Sequence, residues 1–194
     1  MNERATAWSL LCEYTLSESL RKHALAVEAA MRAYARKFGE NEETYGITGL
    51  LHDFDYEKFP TPEEHPFVGN KIMRERGYPE EILRCILSHA NYSGVPRVTP
   101  MEKALFACDE LCGLITAATL VKPTKNIADL DAGSVRRKMK DKAFARTVSR
   151  EDITSGAADL GVDLDQHITS CIAAMRSIAP QLGLDGSLAK PTSP

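Results

Sequence analysis

Residues 50–55 read LLHDFD, in which an imidazole and a carboxylate directly follow two leucines. The leucines predict the start of a core, where an ionised aspartate is costly unless it is paired or bound to a cation. His52 and Asp53 are therefore candidate metal ligands. The other ligands of such a site have to come from elsewhere in the chain.

The composition is that of an ordinary globular protein. Of the 194 residues, 43% are hydrophobic and 26% are charged, and the formal net charge is -3. This length suits one domain with a sizeable core, and the charge gives no general attraction to nucleic acid or anionic membranes. No apolar run is long enough to span a membrane, and the amino terminus carries charges where a signal peptide would be apolar. We expect a cytoplasmic protein, monomeric or homodimeric, that binds neither nucleic acid nor membranes.

Apolar residues recur at spacings of three and four along nearly the whole chain, which predicts an all-α fold. Thr61-Pro62 and Thr99-Pro100 are helix-start signals. The pattern places helices at about 3–14, 17–38, 42–53, 64–76, 79–90, 100–121, 134–147, 150–160 and 164–181. We expect one helical domain over residues 1–183, with additional C-terminal helices, followed by a flexible tail over residues 184–194.

Helical spacing places more imidazoles and a second carboxylate on apolar faces. His23, His89 and Asp109 each lie on the apolar side of a predicted helix, and His65 stands near the start of another. A lone histidine in such a place is more often a satisfied core residue than a ligand. Four imidazoles and two carboxylates would each need a separate partner, however, whereas two divalent cations would satisfy them all.

The cysteines carry no comparable signal. Their number, five, is odd, and no Cys-x-x-Cys pair occurs. They fall within helical patterns beside apolar residues, so we expect reduced core thiols. His167, in the last predicted helix, stands apart from the other four histidines.

The order of the candidate ligands resembles that of a known family. His23, then His52-Asp53, then Asp109 follows the H…HD…D order of the HD superfamily of metal-dependent phosphohydrolases. Residues 50–90, which include EHPFVG after the His-Asp pair, are similar to the HDIG-type subgroup. The resemblance covers roughly residues 17–121, and the full chain looks most similar to bacterial HD-superfamily hydrolases whose substrate is not assigned.

The resemblance implies a role for each matching position and an HD-domain helical bundle as the fold. It implies that the first metal is held by His23, His52, Asp53 and Asp109. A second metal, typical of the dinuclear branch, would add His65 and His89, with Asp53 bridging the two ions. Imidazole and carboxylate ligands suit manganese, iron, cobalt, nickel or zinc, and the sequence does not choose among them.

Two cations in such a site imply hydrolysis of a small phosphate monoester or diester. Asp53 and Asp55 are the candidate catalytic carboxylates. Asp55 fits either a proton acceptor for the attacking water or an acid that only supports the ligands. Lys58 and Lys122 each follow a metal-bearing helix closely and are the candidate substrate-binding cations.

Other activities stay open at this point. Cyclic-dinucleotide phosphodiesterases of the superfamily usually have a lysine where this chain has Tyr56, and Gly77-Tyr78-Pro79 does not sit at their signature position. Some HD-fold proteins with the same six ligands are diiron oxygenases that cleave C–C or C–P bonds. A non-catalytic regulatory module is the third alternative, although it would not need six intact ligands.

Overall fold

The structure, a computed structural model, describes residues 3–189. The helices are α1 (Arg4–Tyr14), α2 (Glu18–Phe38), α3 (Glu42–Leu51), α4 (Phe67–Glu75), α5 (Glu80–His89), α6 (Pro100–Leu120), α7 (Ala132–Lys140), α8 (Arg150–Asp159), α9 (Leu164–Arg176) and α10 (Ala179–Leu182). Extended pairing within residues 3–189 is limited to an isolated bridge between Asn126 and Asp185. The predicted all-α fold is confirmed. Each helix in this range is too short or too polar to cross a membrane.

Two compact units make up the chain, the first ending at Phe106 and the second beginning at Ala107. The first unit contains α1 to α5 and the beginning of α6. Its core is formed by buried aliphatic and aromatic side chains, among them Leu10, Leu11, Ile47, Leu50, Leu51, Phe54, Ile82 and Ile86. The two leucines before the His-Asp pair therefore lie in the core, as their pattern predicts.

Close packing of α2 and α3 positions the first candidate ligands. A Cβ atom on Gly49 would lie 3.0 Å from the carbonyl oxygen of Val27, so only a glycine allows the two helices this approach without a shift. His52 follows the end of α3, and its ring centroid lies 5.2 Å from that of His23 on α2. The packing of two helices thus brings together two histidines that are 29 positions apart in the sequence.

The helix predicted over residues 64–76 begins later, at Phe67. Pro66 disfavours a helical conformation for the residue before it, because its ring clashes with that residue's backbone. Residues 61–66 accordingly form turns, in which the Thr61 carbonyl accepts hydrogen bonds from the Glu64 and His65 amides. His65 therefore lies in the turn that precedes α4 and not on the helix.

The second unit contains the rest of α6 and α7 to α10. On α8, a Cβ atom added to Gly156 would lie 2.8 Å from Cα of Ala107, so α8 contacts the α6 backbone directly. From α9, Nε2 of His167 lies 2.8 Å from the carbonyl oxygen of Ala107. One turn of α6 is thus contacted by both α8 and α9.

Two helices predicted in this unit are shorter than expected. The helix predicted over 134–147 is α7, which ends at Lys140 and is followed by turns. The helix predicted over 164–181 is divided into α9 and α10 at Ser177 and Ile178. Pro180 lies near the start of α10, where its missing N–H costs nothing but where it could not have continued α9.

The C-terminal segment has ordered contacts beyond the predicted domain boundary at residue 183. Leu184 is buried, and its carbonyl oxygen accepts a hydrogen bond of 2.8 Å from the Ile127 amide. Asp185 forms the bridge with Asn126. The predicted tail over 184–194 therefore begins with residues that contact the second unit, and residues 190–194 lie outside the described part of the chain.

Candidate metal centre

Three imidazoles converge on one carboxylate in the first unit. Nε2 of His65 and Nε2 of His89 each lie 3.3 Å from Oδ1 of Asp53, and Nε2 of His52 lies 3.4 Å from Oδ2. The imidazoles are almost fully buried, whereas the Asp53 side chain is 25% exposed. The carboxylate is therefore the part of the cluster that faces solvent.

Backbone carbonyls fix the orientation of two of these rings. Nδ1 of His52 lies 2.8 Å from the Gly49 carbonyl oxygen, and Nδ1 of His89 contacts the Ile86 carbonyl oxygen. A carbonyl oxygen only accepts hydrogen bonds, so the hydrogen of each neutral ring is on Nδ1. Nε2 then carries the lone pair, and it is Nε2 that points at Asp53. This is the arrangement of a histidine that binds a metal.

Asp55 has the same orienting role for His65. Its Oδ1 atom accepts a hydrogen bond of 2.8 Å from Nδ1 of His65, and Oδ2 accepts one of 2.7 Å from the Gly69 amide. The residue is 1% exposed. Both carboxylate oxygens are thus engaged, and these are the contacts of a residue that supports a ligand. They favour this alternative over a proton acceptor for water.

Asp53 and the imidazoles around it shift one another's pKa values. Burial raises the pKa of Asp53, but when the rings are protonated the charge of His52 and hydrogen bonds from His52, His65 and His89 outweigh it and hold that pKa well below its usual range. Burial lowers the pKa of His65, yet its hydrogen bonds to Asp53 and Asp55 raise it to about 9. An ionised carboxylate surrounded by imidazole nitrogens requires a positive charge, which a proton or a metal ion supplies.

The cluster divides into two ligand groups that share Asp53. In the first group, one ligand atom each of His23, His52 and Asp53 lie within 4.8 Å of one another. In the second group, the same limit holds for Asp53, His65 and His89. Imidazole nitrogen and carboxylate oxygen suit divalent transition metals, so the donor set fits such an ion.

Comparison with protein families identifies the fold to which this centre belongs. A family model described as HD domain matches residues 20–152, which is more than half of the chain. The chain belongs to the HD domain family. The predicted membership is confirmed, and the matched range of the HD domain contains all six predicted ligands. Searches among curated proteins and among solved structures gave no match.

HD domains bind divalent metals, and this one presents two His/Asp groups that could hold them. The sixth predicted ligand, Asp109, lies in the second unit, on the part of α6 that continues unbroken from the first. Lys122 also lies in the second unit, in the turn after α6, and its predicted role stays a prediction. Nζ of Lys58 lies 2.9 Å from the Glu13 carbonyl oxygen and 4.3 Å from the ring centroid of Tyr14. These contacts with the end of α1 argue against a substrate-binding role for Lys58.

Two tyrosines that the sequence did not predict as part of the centre lie beside His65. The Tyr92 hydroxyl donates a hydrogen bond of 3.0 Å to the His65 carbonyl oxygen, and the Tyr56 ring lies edge-on to the His65 ring at 5.3 Å. Burial and the charges of Asp53 and Asp55 raise the pKa of Tyr92. Both phenols are more than 40% exposed, so they border the centre on its solvent side. Neither lies on a periodic apolar face, and Tyr56 is notable in the sequence only as the residue that replaces the lysine usual in cyclic-dinucleotide phosphodiesterases.

Proposed function

We propose that this HD domain is a metal-dependent phosphohydrolase that acts on a monoester or diester of a small molecule. The observation that carries the proposal is the convergence of three Nε2 atoms on the two oxygens of Asp53. Lone pairs of neutral imidazoles repel a carboxylate, and cations placed between them turn this repulsion into coordination. The family match supports the same conclusion, since HD domains are mostly metal-dependent phosphohydrolases.

The proposed centre is dinuclear. His23, His52 and Asp53 would hold the first divalent ion, with Asp109 as its fourth protein ligand. The second ion would be held by Asp53, His65 and His89, which makes Asp53 the bridging carboxylate. Support for Asp109 comes from the family match, which includes it, and from its place in the H…HD…D order.

The chain's own residues would prepare this centre for hydrolysis. Bound divalent ions would supply Lewis acidity toward a phosphoryl oxygen and toward water. Asp53, held ionised, contributes the negative charge that attracts the ions and is the catalytic carboxylate of the proposal. The hydrogen bonds that Nδ1 of His52, His65 and His89 donates fix the direction of these three rings in advance, so little reorganisation is needed. Asp55 acts through His65 as a positioning residue.

The test begins with a metal count on protein purified without chelator. Turnover of bis(p-nitrophenyl) phosphate and of p-nitrophenyl phosphate is then measured after reloading with Mn²⁺, Fe²⁺, Co²⁺ or Zn²⁺. Asp53→Ala should abolish hydrolysis and lower the metal content. His89→Ala should preferentially lose the second ion. Asp159→Ala, which removes an exposed carboxylate at the end of α8, is the matched control and should leave both unchanged.

The other activities give different results in the same experiment. Two irons with oxygen consumption and no hydrolysis would identify a diiron oxygenase. Metal binding without turnover of either ester would favour a regulatory module. Wild-type metal content and rate in both His65→Ala and His89→Ala would show that the centre is not dinuclear.

A further inference from the structure

A second group of metal-binding side chains lies in the second unit, among residues that have no part in the proposed phosphohydrolase centre. Cys108 and Cys112 are one helical turn apart on α6, and His167 and Cys171 are one turn apart on α9. Each pair therefore occupies one face of its helix. All four residues are buried, and none is more than 1% exposed. Three thiols and an imidazole thus meet in an interior from which water is excluded.

The ligand atoms of three members of this group are close enough to share one ion. Those of Cys108, His167 and Cys171 lie within 4.8 Å of one another, and Sγ of Cys171 is 3.8 Å from Nδ1 of His167. Cys112 lies outside that limit, but its side chain is hydrogen-bonded to that of Cys171. Tetrahedral zinc with Zn–S bonds of about 2.3 Å holds its sulfurs about 3.8 Å apart. Three ligand atoms are thus already close together, and a rotation of the Cys112 side chain toward them would complete the coordination sphere.

The imidazole is already in the tautomer that a metal requires. Nε2 of His167 lies 2.8 Å from the Ala107 carbonyl oxygen, which can only accept, so the hydrogen of the neutral ring is on Nε2. Nδ1 then carries the lone pair and is the atom that faces Cys171. A ligating histidine commonly donates its other N–H to a backbone carbonyl in this way.

We propose that Cys108, Cys112, His167 and Cys171 form a structural zinc site in the second unit. Thiolates select soft or borderline ions such as Zn²⁺ over Mg²⁺ or Mn²⁺. Three cysteines and one histidine form a complete tetrahedral set, and because no position stays open for water the site is structural and not catalytic. The ion would join α6 to α9. Three of the five cysteines expected to be simple core thiols, and the histidine that stood apart in the sequence, thereby acquire a common role.

Cobalt substitution of the full-length, reduced and metal-free protein tests the proposal. Cobalt bound to thiolates gives charge-transfer absorption in the near ultraviolet, which the thiolate-free His/Asp centre cannot produce. The wild type should show this absorption with one equivalent of cobalt, and Zn²⁺ should abolish it. Asp53→Ala should retain it, so the result is independent of the phosphohydrolase proposal. Cys85→Ser, at a buried cysteine of the first unit, is the matched control and should also retain it.

Variants of the group itself should lose the signal. Cys171→Ser and His167→Gln should each reduce the cobalt absorption at least tenfold, whereas His167→Cys, which keeps four ligands, should retain it. Full absorption in Cys171→Ser would overturn the proposal, and so would its absence from the reduced wild type. A disulfide at Cys171 in protein that takes up no cobalt after reduction would show a redox pair instead. If Cys171→Ser does not fold, X-ray absorption of zinc-loaded Asp53→Ala decides. This variant binds little metal in the His/Asp centre, so only three sulfur neighbours around zinc agree with the proposal.

Discussion

Gly69→Ala should weaken metal binding although Gly69 is not a ligand. A Cβ atom at this position would lie 2.5 Å from Cγ and 2.6 Å from Oδ2 of Asp55. The carboxylate would have to retreat by roughly 1 Å to reach ordinary van der Waals distance. Asp55 is the residue that holds Nδ1 of His65, at 2.8 Å. A retreat of this size would lengthen that hydrogen bond beyond its useful range and release the ring.

The size of the effect follows from the loss of one supporting hydrogen bond. Removing the partner of a ligating histidine typically costs about 10- to 100-fold in metal affinity. This corresponds to about 1.4 to 2.8 kcal/mol of binding free energy. In the proposed dinuclear centre, the loss should fall on the ion that His65 would help to hold, and the ion assigned to His23 and His52 should be affected less.

Isothermal titration of metal-free protein with Mn²⁺ measures this effect, because manganese prefers oxygen and nitrogen ligands over the buried thiols. Gly133→Ala is the matched control, since its new Cβ would meet no atom closer than 3.5 Å. Asp55→Ala should weaken Mn²⁺ binding by a similar factor, and the double variant should add little to either change. Wild-type affinity in Gly69→Ala would refute the idea that Asp55 controls the ligand geometry of His65.

Three further predictions concern the pH dependence of metal binding and the stability of the two units. Mn²⁺ binding should release a proton at neutral pH and should tighten as the pH rises toward 9. The reason is that His65, with a pKa of about 9, must lose its proton before it can bind the metal. Calorimetric titration in buffers of different ionisation enthalpy counts the released protons. Glu102 is buried, accepts hydrogen bonds from two backbone amides that precede α6 and forms an ion pair with Arg84. Burial alone would raise the pKa of Glu102, but these contacts outweigh it and lower that pKa below its usual 4.5. Below pH 4.5, Glu102 therefore binds fewer protons in the folded protein than in the unfolded chain. The wild type should be more stable than Glu102→Gln by its largest margin above that pH, and the margin should shrink as the pH falls. Denaturant unfolding at several pH values measures this difference. Gly156→Ala should lower the free energy of unfolding by roughly 1 to 3 kcal/mol, because the new methyl group meets the Ala107 backbone, and an unchanged denaturation midpoint would contradict this packing.

The helices were predictable where several local sequence signals agreed. Segments whose structure depends on a contact with a residue far away in the sequence were not predictable. Asn41 and Gly39 mark the start of α3 and the end of α2 by their own chemistry, so both helices lie close to their predicted bounds. Residues 61–66 contain a helix-start signal at Thr61 but form only turns, because Pro66 disfavours a helical conformation at His65. The contacts of Leu184 depend on Ile127, which is far away in sequence, and no local pattern could reveal them.

The His/Asp cluster was predictable for a different reason. A buried His-Asp pair is costly without a cation, and the resemblance orders the remaining ligands along the chain. The supporting residues had no such signal, because Gly69, Tyr92 and Tyr56 act through single contacts that exist only after folding. Asp55 was recognisable as important by its position, but only its hydrogen bonds to His65 and Gly69 favour one of its two possible roles.

Hydrogen bonds to backbone carbonyls distinguish histidines of the two proposed sites. His52 and His89 donate from Nδ1 and present Nε2 to a carboxylate that is partly exposed, so water can reach the proposed phosphohydrolase centre. His167 donates from Nε2 and presents Nδ1 to the buried sulfur of Cys171, which solvent does not reach. The nitrogen that faces the ligands is chosen by a carbonyl, and the position of that carbonyl is a property of the fold. The sequence therefore predicts which histidines are candidate ligands. The position of a backbone carbonyl in the folded protein determines which ring nitrogen faces the other ligand atoms.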